Sequence, residues 1–266
     1  MSAKRNHRRL GVAFARLFAS ALAAMCLASP GPGAGATMTV GVKHNISATL
    51  IVPDGSGPFP GALILSTSGG VANADIAYAQ RLAGEGFVCL VPAYIEAYHL
   101  VGPHGPINPG DAFTVYAQQI HDDLIQSANA LRHQEKANGR IGVVGFSAGG
   151  FFAVWLALTQ EIQAGVSYYG SFQGGPARIA RFKGLATAQS SPVLILHGDD
   201  DRTVPVELAR SVIDILSEAK SPYESQIYPG AGHTFDRGGL GPVVPSAAAD
   251  AWARTLAFLT KYLKQP

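Results

Sequence analysis

A serine set between glycines, Gly145-Phe146-Ser147-Ala148-Gly149, separates the apolar run Ile141-Gly142-Val143-Val144 from a helix-like stretch over 151–157. At a joint between a buried strand and a helix, such a turn is too tight for large flanking side chains, and it pushes the serine hydroxyl outward. The helix that starts there aims backbone N–H groups and the positive end of its dipole at charge developing on an attacked carbonyl. Ser147 is therefore a candidate nucleophile for acyl transfer. It needs a base, and the base needs an acid to orient it. Two downstream segments supply both. The run Pro192-Val193-Leu194-Ile195-Leu196 leads into His197-Gly198-Asp199-Asp200-Asp201-Arg202-Thr203-Val204-Pro205, and Gly230-Ala231-Gly232-His233-Thr234-Phe235 places a histidine in a glycine-rich loop.

Three acids compete for the orienting role. Asp201 is favoured because it stands three residues before Val204-Pro205, where the loop turns into the next helix. Asp199 reads as a turn former and Asp200 as a solvated or helix-capping acid. Among the eight histidines, His233 alone follows a complete set of strands in a C-terminal loop. His197 closes a strand and reads as locally packed or hydrogen-bonded. His99 and His104 lie in a loop that could rim a pocket, and His121 and His133 fall on a helical stretch, where solvent exposure is expected. No pair has the spacing of a metal site such as H-E-x-x-H, which argues against metal catalysis. The order Ser, Asp, His along the chain is that of the α/β-hydrolase fold. An oxyanion hole would take one donor from the N–H of Ala148 and a second from Ser66-Thr67-Ser68-Gly69-Gly70. Ser68 is the favoured donor there, and Thr67 is the other candidate and a possible substrate contact.

The elements that must hold these residues alternate. Segments 39–42 and 47–52 read as an opening antiparallel pair, and 62–65 as a short buried strand. A helix over 74–83 and a strand over 87–91 follow. Phe113, Ala117, Ile120, Leu124, Ala128 and Leu131 recur at three- and four-residue steps and mark an amphipathic helix. Strands at 141–144, 165–169, 193–196 and 224–228 alternate with helices after Ser147, at 205–219 and at 246–263. This pattern implies an α/β class: a mostly parallel sheet with helices on both faces and a site at the carboxyl ends of its strands. Residues 99–111 and 171–191 read as the longest irregular stretches and as substrate-contacting loops.

The 266 residues suit one large α/β domain, and 47% hydrophobic against 14% charged residues is enough to fill a buried sheet. The net charge of +2 includes Lys4, Arg5, Arg8, Arg9 and Arg16, which precede the apolar run 17–28. A basic region, a short apolar region and then small residues describe a secretory signal peptide. The run is too short for a stable membrane span, and the basic cluster is no nucleic-acid patch. Cleavage after Ala28 or after Ala36 is expected, so residues 1–36 read as signal and flexible leader and 37–266 as the folded domain, exported to the periplasm or secreted. After cleavage Cys89 would be the one cysteine left. It lies in the apolar run Gly86-Phe87-Val88-Cys89-Leu90-Val91-Pro92 and reads as buried and inert.

The chain resembles the dienelactone hydrolase family of α/β hydrolases over roughly residues 45–263. The resemblance rests on the elbow, on Tyr168-Tyr169-Gly170, on Gly198 with Asp201 and Val204-Pro205, on Gly230-Ala231-Gly232-His233-Thr234-Phe235, and on 251–258. It implies hydrolysis of small esters or lactones by a nucleophile–His–Asp triad without a cofactor. Two departures stand out. The family's cysteine nucleophile is replaced by Ser147, and the loop 66–70 carries no glutamate. Of the two arginines that hold the substrate carboxylate in that family, Arg237 matches one, and Ala93-Tyr94-Ile95-Glu96 offers no second. Arg237 is thus a candidate substrate-binding residue that would favour an ester bearing a carboxylate. Its other reading is a solvated residue paired with Asp236. With the second arginine missing, neutral short-chain esters are the expected substrates. A serine peptidase of the prolyl-oligopeptidase type and a non-catalytic binding module are the alternatives. Oligomeric state is not legible.

Overall fold

Apolar runs of four to seven residues, bounded by glycine, proline or short polar turns, build the centre of a sheet in the computed structural model, which describes residues 36–40, 44–101, 109–172 and 176–264. The strands are β1 (Ala36–Val40), β2 (Ile46–Ile51), β3 (Phe59–Leu65), β4 (Val88–Pro92), β5 (Ala137–Phe146), β6 (Ala164–Tyr168), β7 (Val193–Gly198) and β8 (Tyr223–Tyr228). The helices are α1 (Asn73–Gly84), α2 (Tyr94–Ala97), α3 (Pro109–Arg132), α4 (Ala148–Leu158), α5 (Pro176–Leu185), α6 (Val206–Glu218) and α7 (Pro245–Leu263). The sheet order is β1-β2-β4-β3-β5-β6-β7-β8. β2 pairs antiparallel with both β1 and β4, and every other pair is parallel.

Side chains alternate across the sheet, as the two-residue period of a strand requires. Leu63, Leu65, Val88, Leu90, Ile141, Val143, Val193 and Ile195 pack against α3, α4, α5 and α6 in one core. Ala62, Ile64, Cys89, Val91, Val144, Phe146, Leu194 and Leu196 pack against α1 and α7 in the other. Both faces are covered, which is why the central strands read as continuous apolar runs. This is the α/β-hydrolase architecture.

Several expectations need correction. The stretch 171–191 is not irregular throughout, since α5 occupies part of it. Its helical signal is short, Ile179, Phe182 and Leu185 at three-residue steps with Arg178, Arg181 and Lys183 around them. Phe182 is fully buried and packs on Phe151 and Phe172, so packing fixes a helix that local pattern leaves faint. In the stretch 99–111, α3 begins at Pro109, and 102–108, with His104, lie outside the described residues. β1 starts three residues earlier than expected and takes in Ala36, which reads as leader from the sequence, because the register Ala36↔Leu50 to Val40↔Ile46 carries it to within one residue of the end of β2. The short α2 has no sequence signal. His121 is buried, not exposed. Its ring stacks on Trp155 of α4 with centroids 4.2 Å apart, because the apolar face of α3 is wider than its period-marking residues.

Candidate active site

β5 ends at Phe146 and α4 starts at Ala148, which leaves a single residue to reverse the chain. That residue, Ser147, has φ 52° and ψ −109°. A non-glycine residue held there carries strain on the order of 1–3 kcal/mol that only surrounding structure sustains. The constraint is steric on both sides. A Cβ on Gly145 would overlap the carbonyl of Gly149, and one on Gly149 would overlap the carbonyl of Leu65. Backbone hydrogen bonds then pin the turn. Ser147 N–H donates to Tyr168 O at 3.0 Å, and Ser171 N–H donates to Ser147 O at 2.8 Å.

The structure brings Ser147, His233 and Asp201 together. His233 Nε2 lies 3.1 Å from Ser147 Oγ, and His233 Nδ1 lies 2.7 Å from Asp201 Oδ2. All three are nearly closed to solvent, at 7%, 3% and 5% exposure. The other Asp201 oxygen accepts the N–H groups of Thr203 at 2.9 Å and Val204 at 2.8 Å. Burial alone would raise the Asp201 pKa, but the His233 hydrogen bond and the Val204 N–H outweigh it and hold the carboxyl below the usual carboxylate range. The Tyr169 ring packs edge-on to His233 with centroids 4.8 Å apart. Asp199 and Asp200 are exposed. Asp199 Oδ1 accepts the Gly230 N–H at 2.6 Å, and Asp200 faces Arg202. His197 is fully buried, with Nε2 2.9 Å from Val204 O, so it braces the Asp201 turn.

The loop after β3 faces the elbow, with Gly149 N–H donating to Ser66 O. The N–H groups of Ala148 and Ser68 make no hydrogen bond to another of the described residues. Both ends of the loop are tied to α2. Tyr94 Oη donates to Ser66 O at 2.8 Å, and Glu96 Oε1 accepts the Val71 N–H at 2.7 Å. Glu96 Oε2 is buried and makes no hydrogen bond to another of the described residues. An acid therefore does reach this loop, though from a helix 25 residues on.

A cleft of about 470 Å³ opens over these groups. Thr67, Ser68, Asp75, Ser147, His233 and Arg237 line it, with Ser171 and the 238–240 loop. Of the two stretches read as substrate loops, only Ser171 reaches it among the described residues; the loop at 67–72, the first turn of α1 and the loop at 233–240 form its walls instead. Arg237 faces the cleft but is not solvated. It bonds Asp236 Oδ2 at 3.1 Å and also Asp75 Oδ1 at 2.6 Å, a partner absent from the sequence reading. Asp75 is an acid in the first turn of α1, and its other oxygen accepts the Ala72 N–H at 2.9 Å. Cys89 is fully buried, and burial pushes its thiol pKa well up. Among the described residues, no His, Cys, Asp and Glu cluster could hold a metal ion, and no helix is long and apolar enough to cross a membrane.

A family model described as the dienelactone hydrolase family matches residues 46–263. The chain is 32% identical over 192 residues to a carboxymethylenebutenolidase of Rhodococcus opacus, covering 70% of this chain and 74% of that protein. It is similar in structure to the dienelactone hydrolase-like promiscuous phosphotriesterase P91 from metagenomic libraries (TM-score 0.68, 21% identity, 86% of this chain and 99% of that one). It is also similar to Thermogutta terrifontis esterase 2, in a form phosphoramylated by tabun (TM-score 0.69, 16% identity, 89% and 98%). At these identities the two structural likenesses bear on the fold alone.

Proposed function

Because the chain belongs to the dienelactone hydrolase family, and is a carboxylic ester hydrolase of the α/β-hydrolase fold, we propose that it cleaves small esters or lactones through Ser147, His233 and Asp201. The observation that carries this reading is the unbroken chain Asp201–His233–Ser147 at 2.7 and 3.1 Å, ending on an oxygen at the floor of a cleft. Ser147 Oγ attacks the carbonyl carbon while His233 Nε2 takes its proton. The N–H groups of Ala148 and Ser68 hold the resulting oxyanion, and the helix dipole of α4 adds to the same field. The tetrahedral intermediate collapses to an acyl-enzyme as His233 returns the proton to the leaving alkoxide. A water, deprotonated by His233, then attacks the acyl carbon, and Ser147 leaves with the proton. Asp201 keeps His233 Nδ1 protonated and stabilises the imidazolium without taking the proton itself.

We also propose that residues 1–35, which precede β1, are a signal and leader and that the hydrolase acts outside the cytoplasm, on the basic, apolar and small-residue order of that segment. The test of the catalytic reading is labelling with a fluorophosphonate probe, followed by turnover of a p-nitrophenyl ester and of a peptide amide. Labelling at Ser147 with ester turnover is expected. Absence of labelling favours a binding module, and preference for the amide favours a peptidase.

A further inference from the structure

The wall of the cleft that carries Arg237 is electrostatically closed. The Arg237 side chain is 11% exposed, and its two carboxylate partners, Asp75 and Asp236, are 2% and 10% exposed. Its Cζ lies 3.4 Å from the centre of the Phe146 ring, so the guanidinium is stacked as well as paired. Neither carboxylate is free to swing away. Asp75 Oδ2 accepts the Ala72 N–H at 2.9 Å, and Asp236 Oδ1 accepts the Tyr169 hydroxyl at 2.7 Å. One guanidinium against two carboxylates leaves the cluster with a net negative charge. Asp75 lines the cleft together with Arg237, whereas Asp236 stands behind it.

We propose that Asp75 is a specificity-determining residue that occupies the arginine a substrate carboxylate would otherwise use, so that the cleft selects uncharged esters and lactones over carboxylate-bearing ones. The inference rests on Ser147 being the nucleophile of this cleft. An anionic substrate would meet a carboxylate already bonded to Arg237. It would have to break a short, desolvated ion pair or lie beside an uncompensated negative charge. A neutral ester meets neither penalty.

The experiment compares kcat/KM for mono-p-nitrophenyl succinate with that for its methyl ester. The wild type is expected to favour the neutral ester by about tenfold or more, the effect of one partly screened charge at short range. Asp75→Asn removes the blocking charge, keeps the shape and retains an oxygen for the Ala72 N–H. It is expected to narrow that preference by about tenfold, mainly through KM, and Arg237→Met added to it should restore the preference. A wild type that prefers the anionic ester overturns the proposal, as does a ratio unchanged in Asp75→Asn while Ser147 still reacts with the fluorophosphonate. If Asp75→Asn does not fold, the wild type under salt decides. Added salt should raise kcat/KM for the anionic ester alone, and a fall with salt overturns the idea. Loss of the catalytic reading looks different: neither ester turns over and Ser147 is not labelled.

Discussion

At the scale of single residues, the three adjacent acids 199–201 separate by what their oxygens touch. Asp201 carries the His233 bond on one oxygen and two backbone N–H groups on the other, so an amide there loses the charge and can present an N–H to His233 in place of an acceptor. Asp201→Asn is expected to cut kcat/KM by about three to four orders of magnitude. Asp199→Asn, which removes only a charge facing the Gly230 N–H, should cost less than tenfold. Steady-state kinetics on one p-nitrophenyl ester checks both, and a larger loss at Asp199 would move the orienting acid. The position of Asp201 was legible because its signal is local: the carboxylate folds back on the two N–H groups that follow it. Ser147 and His233 announce themselves in the same way, through the glycines around them. Asp75 and Glu96 do not. Asp75 meets Arg237 from 162 positions away and Glu96 meets Val71 from 25, and single-sequence patterns say nothing about contacts made across the fold.

At the scale of elements, four residues of helix hold the loop that would stabilise the oxyanion. α2 ties Ser66 through Tyr94 and Val71 through Glu96, and Ser66 O in turn receives the Gly149 N–H from the elbow. Loop and elbow are thus set against each other by α2, which makes Glu96 a positioning residue. Glu96→Ala is expected to lower kcat by about tenfold to a hundredfold with little change in KM, because a displaced donor loses stabilisation specific to the transition state. Glu96→Gln, which can still accept the Val71 N–H, should recover most of it. A loss seen equally in kcat and in melting temperature, with no recovery in the glutamine variant, would leave Glu96 a structural role only. The central strands and the long helices were legible because burial on one or two faces imposes a period over many residues. α2 spans four residues and α5 ten. At that length a helix is decided by what it packs on, such as Phe182 on Phe151, and the sequence carries little of that information.

At the scale of the whole molecule, stability and maturation both follow from what the sheet and its helices enclose. His121 is sealed between α3 and α4, and burial pushes its pKa down to about 4, against a weaker upward pull from Asp122. The native state therefore resists a proton that the unfolded chain binds below about pH 6.5. Stability from this group is complete above that pH and is lost as the pH falls toward 4, by about 3 kcal/mol in all. Buried His197 has the same sign. The melting temperature should fall over this window and fall less in His121→Phe, which keeps a ring on Trp155; an unchanged slope would acquit His121. At the other end of the chain, the proposed signal peptide has two candidate cleavage points, after Ala28 and after Ala36. β1 bears on the choice. Ala36 pairs with Leu50, and the register runs without a break to Val40↔Ile46. A cut after Ala36 would remove the first paired residue of the edge strand and place a charged amino terminus within the ladder. A cut after Ala28 leaves residues 29–35 ahead of β1 and the pairing whole. Export with cleavage after Ala28 is therefore the expected maturation. Intact-mass measurement of the protein recovered outside the cytoplasm should give a chain beginning at Ser29. A chain beginning at Thr37 would show that the edge pair tolerates the loss, and an uncleaved Met1 chain in the cytosol would refute export altogether.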